Sequence, residues 1–287
     1  MADVPLGEGR VILFADEQGS KKWLRRVNSE LDDSGHRQLV LEFATARDGP
    51  IEQHGGEINH LLADSMLAYW LTPDPGYGEP SDAMSAACRA ALGIHAALAA
   101  FNDAHPRYER FMRLGLDWGP ISSWLNPSSF IKDWRMEGAP IHAAERLESL
   151  NKMFGTKILV SGNIADRLSE TEFFAPRLGT FIFLDESGDV TVDPITVHEL
   201  REASGMSDED GAPQRALEAA LAHLREQDWS AAIEGLALCA SHAATRDLAC
   251  RYLHWCRVSQ DERSSRWRGV VSVQIAGKGQ VLDRYLQ

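Results

Sequence analysis

The chain is predicted to fold as a mixed α/β (α+β) main domain over residues 1–202, joined by a linker at 203–213 to a helical tail at 214–287. Three observations predict this. Short apolar runs alternate with 3.6-residue helical patterns from Arg10 to Leu200, the alternation of a layered sheet-and-helix domain. Composition then shifts at Ala203 to Pro213, where Ser-Gly-Met-Ser-Asp-Glu-Asp-Gly-Ala-Pro is polar and rich in breakers. Beyond that stretch helical patterns recur, with a terminal hairpin possible between Gly269 and Leu286 around Gly277-Lys-Gly279.

Taken in order, Arg10-Val-Ile-Leu-Phe-Ala-Asp16 is a strand ending in an acid, Gly19-Ser20 a turn, and the pattern through Trp23, Leu24 and Val27 a helix. A second helical stretch anchored by Leu39, Leu41, Phe43 and Ile51 runs to Gly55-Gly56, and Ile58 to Leu71 reads as a hairpin with Asp64 at its bend. Asp82 to His105 is rich in Ala and Leu and free of proline, so it is a long helix. Met112 to Gly119 is a glycine-interrupted strand, followed by an irregular stretch from Asn126 to Asp133. Ile141 to Leu150 is helical, Lys157 to Ser161 a strand and Asn163 to Leu168 a short helix. Phe181 to Phe183 and Thr191 to Leu200 form a hairpin around Asp185-Glu-Ser-Gly-Asp189. In the tail, Ala216 to Arg225, Trp229 to Ser241 and Asp247 to Arg257 are amphipathic helices resembling one tetratricopeptide pair and a fraction. A lone pair cannot bury its own face, so it should pack on the first domain or on a second chain.

Composition narrows the function. Acidic residues number 42 against 29 basic ones, giving a net charge of −13, which disfavours a general binder of nucleic-acid backbone. The four cysteines, Cys88, Cys239, Cys250 and Cys256, lack the paired spacing of a disulfide framework or a structural zinc site, which fits a reducing, cytoplasmic setting. The N-terminus has no signal pattern and no apolar run approaches the ~20 residues of a membrane helix, so no membrane span is expected.

Two acids, Asp16 and Asp64, each close or interrupt an apolar strand, a position from which neighbouring strand ends can aim carboxylates at one point. Paired carboxylates bind Mg²⁺ or Mn²⁺, and phosphoryl chemistry often uses two such ions. Around these acids the motifs accumulate. Phe14-Ala-Asp16-Glu-Gln-Gly19-Ser20 resembles the FxDxxGST opening of bacterial class III nucleotidyl cyclases, and Gly56 to Trp70 resembles that family's segment ending in GDxxLAxF. Arg113 to Gly119 is similar to its RxGIHxG strand, and Gly138-Ala-Pro-Ile-His142-Ala-Ala-Glu-Arg146-Leu-Glu148 to GxxVNxAxRLE. Lys157 to Ser161 and Pro194 to Leu200 are similar to the family's ILVS and PVxVYEL strands.

The resemblance implies a βαββαβ core with extra strands, acting as a head-to-tail homodimer whose active sites lie in the interface. It assigns two Mn²⁺ or Mg²⁺ ions per site to Asp16, Asp64 and the backbone carbonyl of Glu17, and phosphate contacts to Gly19, Ser20 and Lys21. Arg146 would stabilise the transition state from the other protomer. His142, one turn earlier on the same helix face, stands where the family has an asparagine that positions the ribose. The reaction implied is attack of the ribose 3′-hydroxyl on the α-phosphorus of a nucleoside triphosphate, releasing a cyclic nucleotide and pyrophosphate.

The chain departs from the family at several points. Ala63 replaces the glycine before the second acid, and the phosphate-binding lysine near the closing hairpin is missing, so Lys21, Lys22 or a metal must serve instead. Base reading falls to His60 and to Arg135, or to Asp133 if the loop slips by two, and neither purine pair is reproduced. The pattern is similar to stand-alone bacterial pyrimidine cyclases of antiphage signalling, which implies UTP, then CTP, as substrate and a separate cyclic-nucleotide-binding effector as reader of the product. An adenylate cyclase reading adenine through His60 and Asp133, and a catalytically silent nucleotide- or partner-binding domain, are the alternatives. Trp118, Trp124 and Trp134 read as core or interface residues, and His54 as a structural histidine.

Overall fold

The computed structural model describes residues 8–62, 64–72, 80–125, 134–185, 187–258, 270–276 and 280–286. The chain divides into two compact units, residues 1–148 and 149–287.

The first unit opens with β1 (Glu8–Glu17), α1 (Ser20–Glu30), α2 (Asp33–Gln53), β2 (Glu57–Leu62), β3 (Ser65–Leu71) and α3 (Pro80–Ala104). It continues with β4 (Met112–Leu125), β5 (Trp134–Glu137) and the start of α4 (Ala139–Phe154). The order of strands is β2-β3-β1-β4, every pair antiparallel, and β5 folds back on the far end of β4. β1 is central, and Val11, Ile12, Leu13 and Ala15 are all fully buried on its two faces, which is why its sequence is a continuous apolar run instead of an alternating one. The strand expected over 112–119 runs on to Leu125, and β5 was not foreseen. Its four residues, Trp-Arg-Met-Glu, alternate apolar and charged, but the run is too short to stand out from the irregular stretch before it.

α2 starts at Asp32, whose carboxylate accepts from Gly35 N at 2.8 Å. α3 buries Met84, Ala87, Cys88, Ala91, Ile94 and Leu98, and packs on β1, β3 and α2. By length and mean hydropathy alone α3 passes for a membrane span, but Asp82, Arg89 and Asp103 interrupt it, so no uncharged run in it reaches the ~20 residues of a membrane helix. In this fold its buried Ala-rich face packs against α2 and the sheet.

α4 lies against the opposite face of the sheet, and two glycines of β4 make room for it. A Cβ added at Gly115 would fall on the Ala144 carbonyl oxygen and within 2.5 Å of Glu148 N, and one at Gly119 would lie 2.9 Å from the Pro140 ring. Ala144 thereby joins a buried cluster with Ile12, Leu67 and Ile121, flanked by Phe14, Tyr69 and Ile141.

The second unit contains β6 (Ile158–Ser161), α5 (Gly162–Ala165), β7 (Phe173–Phe174), β8 (Arg177–Leu184), β9 (Val190–Glu199) and β10 (Arg201–Glu202). α6 (Asp208–Arg225), α7 (Trp229–Ala240), α8 (Arg246–Val258), β11 (Val270–Ala276) and β12 (Gln280–Leu286) follow. Its strands run β6-β9-β8-β11-β12, with β11 parallel to β8 and the other pairs antiparallel, while β7 and β10 form a separate pair. The terminal hairpin therefore forms, and it also extends the sheet, which no local pattern announces. Its turn, Gly277 to Gly279, is outside the described residues.

Half of the stretch expected as a linker is helix. Ser207 and Asp210 form a reciprocal capping box, and α6 starts at Asp208 and passes through Pro213. The acids and serine that read as a polar spacer are N-terminal helix chemistry. The tail helices find cover on their own chain: the Tyr252 hydroxyl on α8 donates to Leu178 O of β8 at 2.8 Å, above Gly179, where a Cβ would collide with it.

Candidate active site

The site assembles at one end of the first unit's sheet. Asp16 is the penultimate residue of β1, half-buried, and pairs in register with Ser65 on one side and Arg113 on the other. Cross-strand partners share a face, so these three side chains form one row. The row behind it is Phe14, Leu67 and Gly115, over which α4 passes.

Asp64 stands at the bend before β3, as the hairpin pattern required. Its carbonyl accepts from Glu17 N at 2.9 Å, and its carboxylate accepts from the Ser20 hydroxyl at 2.8 Å. The backbone of one acid is thus bonded to the residue following the other. Ser65 Oγ lies 3.3 Å from Asp16 Oδ1. Gly19 has φ 69°, the left-handed region a glycine occupies at no steric cost, and it turns the chain from β1 into α1. Lys21 and Lys22 follow in the first turn of α1 and are exposed.

The donors gathered here are two carboxylates, two hydroxyls and the carbonyl of Glu17, all hard oxygens. They fit Mg²⁺ or Mn²⁺ and offer a softer ion nothing. Among the described residues no cluster of three or more His, Cys, Asp or Glu could hold a metal by side chains alone. Substrate phosphates and water would complete the shell, which is the usual habit of Mg²⁺.

Glu17 does not add its side chain to this row. It is 8% exposed, projects to the other face of β1, and pairs there with Arg110 and, at 3.4 Å, with Arg47. The Arg110 guanidinium sits 4.2 Å from the Trp23 ring centroid and 4.3 Å from that of Phe43. Burial pulls it down to about 10. Asn102 clamps its backbone, accepting from Arg110 N at 2.7 Å and donating to Arg110 O at 3.0 Å.

Sequence reasoning passed over Arg113. It is half-buried beside Asp16, and its Nη2 donates to Gln18 Oε1 at 3.0 Å. The family-like motif marked it, but only the β1/β4 register shows that it faces the acid.

The remaining expected residues that the structure describes do not join Asp16 within one chain. His60 is exposed on β2, opposite Leu67, with Nδ1 2.7 Å from Asn59 Oδ1. Arg135 is exposed on β5, opposite Trp124, eleven residues along β4 from Arg113, a path of roughly 35 Å in extended strand. Asp133 and Ala63 lie outside the described residues. His142 is exposed on α4, and Arg146 is half-buried with its Nε buried and lacking a hydrogen-bond partner. Ala144 and Arg146 are ~200° apart around the helix, so with Ala144 on the sheet Arg146 projects away from the row that holds Asp16.

No protein-family model matches the chain. It is 30% identical over 154 residues to adenylate cyclase 1 of Rhizobium meliloti, a match covering 51% of this chain and 21% of that protein, so the chain spans about a fifth of the length of that relative. Its fold is similar to a bacterial light-regulated adenylyl cyclase (TM-score 0.52, 19% identity, 70% of this chain and 94% of that one). It is also similar to the adenylyl cyclase CyaB from P. aeruginosa (TM-score 0.51, 15% identity, 71% and 96%). A third likeness is to the guanylate cyclase domain of RhGC from Catenaria anguillulae, solved with GTP (TM-score 0.50, 16% identity, 68% and 97%). The chain has the fold of the class III adenylyl and guanylyl cyclase domains, the family to which the ordered motifs of its sequence point.

Proposed function

We propose that this chain is a nucleotidyl cyclase, converting a nucleoside triphosphate to a 3′,5′-cyclic nucleotide and pyrophosphate. The observation that carries the reading is the row of Asp16, Ser65 and Arg113, with Asp64 bonded through its carbonyl to Glu17 N, on a class III cyclase fold. Asp16, Asp64 and the Glu17 carbonyl would hold Mg²⁺ or Mn²⁺, which when bound lowers the pKa of the 3′-hydroxyl and offsets triphosphate charge. Arg113, beside Asp16, serves the phosphate tail and supplies the cation that the family-type lysine no longer provides. Gly19 and Ser20 bring backbone N–H groups at the start of α1 to the same phosphates.

Arg146 and His142 act from a second copy of the chain. Within one chain Arg146 projects away from Asp16, and a head-to-tail pair brings each helix to the other's acids. Arg146 then meets charge growing on the α-phosphate as the 3′-oxygen bonds to phosphorus and pyrophosphate departs, while His142 orients the ribose. Residues 1–202 would be the catalytic part and 214–287 an accessory tail.

For the base, His60 and Arg135 replace both purine-reading side chains. Arginine offers donors only, which suits O2 of either pyrimidine and O4 of uracil, so UTP is favoured over CTP and both over ATP. The product would be read by a separate cyclic-nucleotide-binding effector, in the manner of bacterial antiphage signalling. The second reading is an adenylate cyclase, favoured by the identity to the Rhizobium enzyme. Incubation with each of the four ribonucleoside triphosphates and Mn²⁺, with products resolved by mass, decides between them; binding without turnover would leave a silent nucleotide-binding domain.

A further inference from the structure

We infer that Glu17 is a positioning residue for the metal site through its charge: its buried carboxylate neutralises the guanidiniums that pair with it on the face of β1 opposite Asp16. The inference rests on the cyclase reading above and concerns a different face of the strand.

Strand alternation sends the Asp16 side chain to one face and the Glu17 side chain to the other, so the two carboxylates lie on the order of 10 Å apart across the sheet. At that separation, in a buried setting, a full charge is felt with little screening. Among the described residues, the ion pairs on the Glu17 side of the strand join two cations, Arg110 and Arg47, to two anions, Glu17 and Asp48. Arg47 chelates Asp48 through bonds of 2.6 and 3.0 Å, so Arg110 is left for Glu17 to balance. Arg110 is only 3% exposed, held between Trp23 and Phe43, with Nε and Nη1 making no hydrogen bond. A guanidinium so placed cannot swing into water to relieve an imbalance. Without Glu17 the cluster carries one net positive charge facing the site where cations must bind.

Glu17 also occupies the junction of the two acids, since its N–H donates to Asp64 O. Substituting its side chain leaves that bond and its own carbonyl in place, so the effect of charge can be isolated.

The test is Mn²⁺ binding to the full chain, read from the loss of the free-ion paramagnetic resonance signal, with thermal unfolding as a control for folding. Glu17→Gln should weaken Mn²⁺ affinity by roughly 10- to 100-fold, the order expected for one unit charge acting on a divalent ion over about 10 Å at an effective dielectric constant of roughly 25–50. Arg110→Met, which keeps an adaptable side chain between the two rings, should leave affinity equal or tighter. The double variant should return to the wild-type value. A purely structural role predicts the contrary: both single variants weaken binding and the double is worst. That pattern overturns the inference, as does wild-type affinity in a folded Glu17→Gln protein. If Glu17→Gln does not fold, Arg110→Met decides, weakened binding refuting the inference and equal or tighter binding upholding it. Wild-type protein that binds Mn²⁺ no better than Asp16→Asn overturns the metal reading itself, and this inference with it.

Discussion

Gly115→Ala tests the packing that carries the site. The added methyl would fall on the Ala144 carbonyl oxygen, 2.5 Å from Glu148 N and 2.9 Å from Leu147 Cβ. Two of these neighbours are helix backbone, which no rotamer change can move aside. To restore ordinary contact near 3.4 Å, α4 must shift from the sheet by about 1 Å. Overpacking of this kind costs about 1–3 kcal/mol, and a backbone clash belongs at the upper end. At roughly 2–4 °C per kcal/mol for a chain of this size, ~3 kcal/mol corresponds to a fall in Tm of roughly 6–12 °C. The same shift carries His142 and Arg146 out of place, and a 1 Å misplacement can cost about 100-fold in rate. The assay pairs thermal unfolding with turnover, using Gly211→Ala as comparison. There the new methyl meets only the guanidinium of Arg215, the far end of a flexible side chain, so Tm should hold or rise slightly. A Gly115→Ala protein melting within about 2 °C of wild type would refute the reasoning about α4.

Four further outcomes are expected. Asp64→Asn and Arg146→Ala should each be inactive alone, and mixing them should restore activity once subunit exchange is demonstrated, because one of the two interface sites is then intact; exchange without recovery rules out the composite site. Arg113→Gln should raise KM for the triphosphate by roughly 10-fold or more, with Arg113→Lys recovering part of the loss, as expected for one charge-assisted contact of about 1.5–3 kcal/mol; an unchanged KM removes Arg113 from the phosphates. Arg135→Ala should lower the ratio of cyclic UMP to cyclic AMP formed from equal mixed triphosphates by roughly 5- to 100-fold, the equivalent of about 1–3 kcal/mol; a wild-type protein that prefers ATP replaces the pyrimidine reading with the adenylate cyclase one. Burial holds the His198 imidazole below its ordinary 6.5, so the unfolded chain takes up its proton first and stability should decline as pH falls from 6.5 toward the lowered value; His198→Gln, which keeps a donor for Ala175 O, should flatten that part of the pH profile of Tm.

Much of the core was legible because its signals are local. The apolar run of β1, the bend at Asp64 and the Ala-Leu periodicity of α3 depend on residues close in sequence, and each element stands where those patterns predict it. The positions of Asp16 and Asp64 were legible for the same reason, since a strand end before a glycine turn and a hairpin bend are both short-range features; their role as metal ligands is the proposal. The linker misread at 208–213 shows the limit of composition: Ser207 and Asp210 are polar because they cap a helix, and a capping box and a spacer share the same letters.

By itself, then, the amino-acid order determined most of the strands and helices of the first unit, β5 and the far half of β4 excepted, and where Asp16 and Asp64 fall among them, through periodicity and turn chemistry. Register and long-range pairing were decided only in three dimensions. Nothing near Arg113 in the chain says that it faces Asp16, because that follows from how β4 aligns with β1, ninety-odd residues away. Nor does anything near Glu17 announce Arg110, or anything near Val270 announce a parallel partner in β8. These contacts depend on burial shared among elements distant in sequence, where each residue's partner is chosen by the packing of the whole and not by its neighbours.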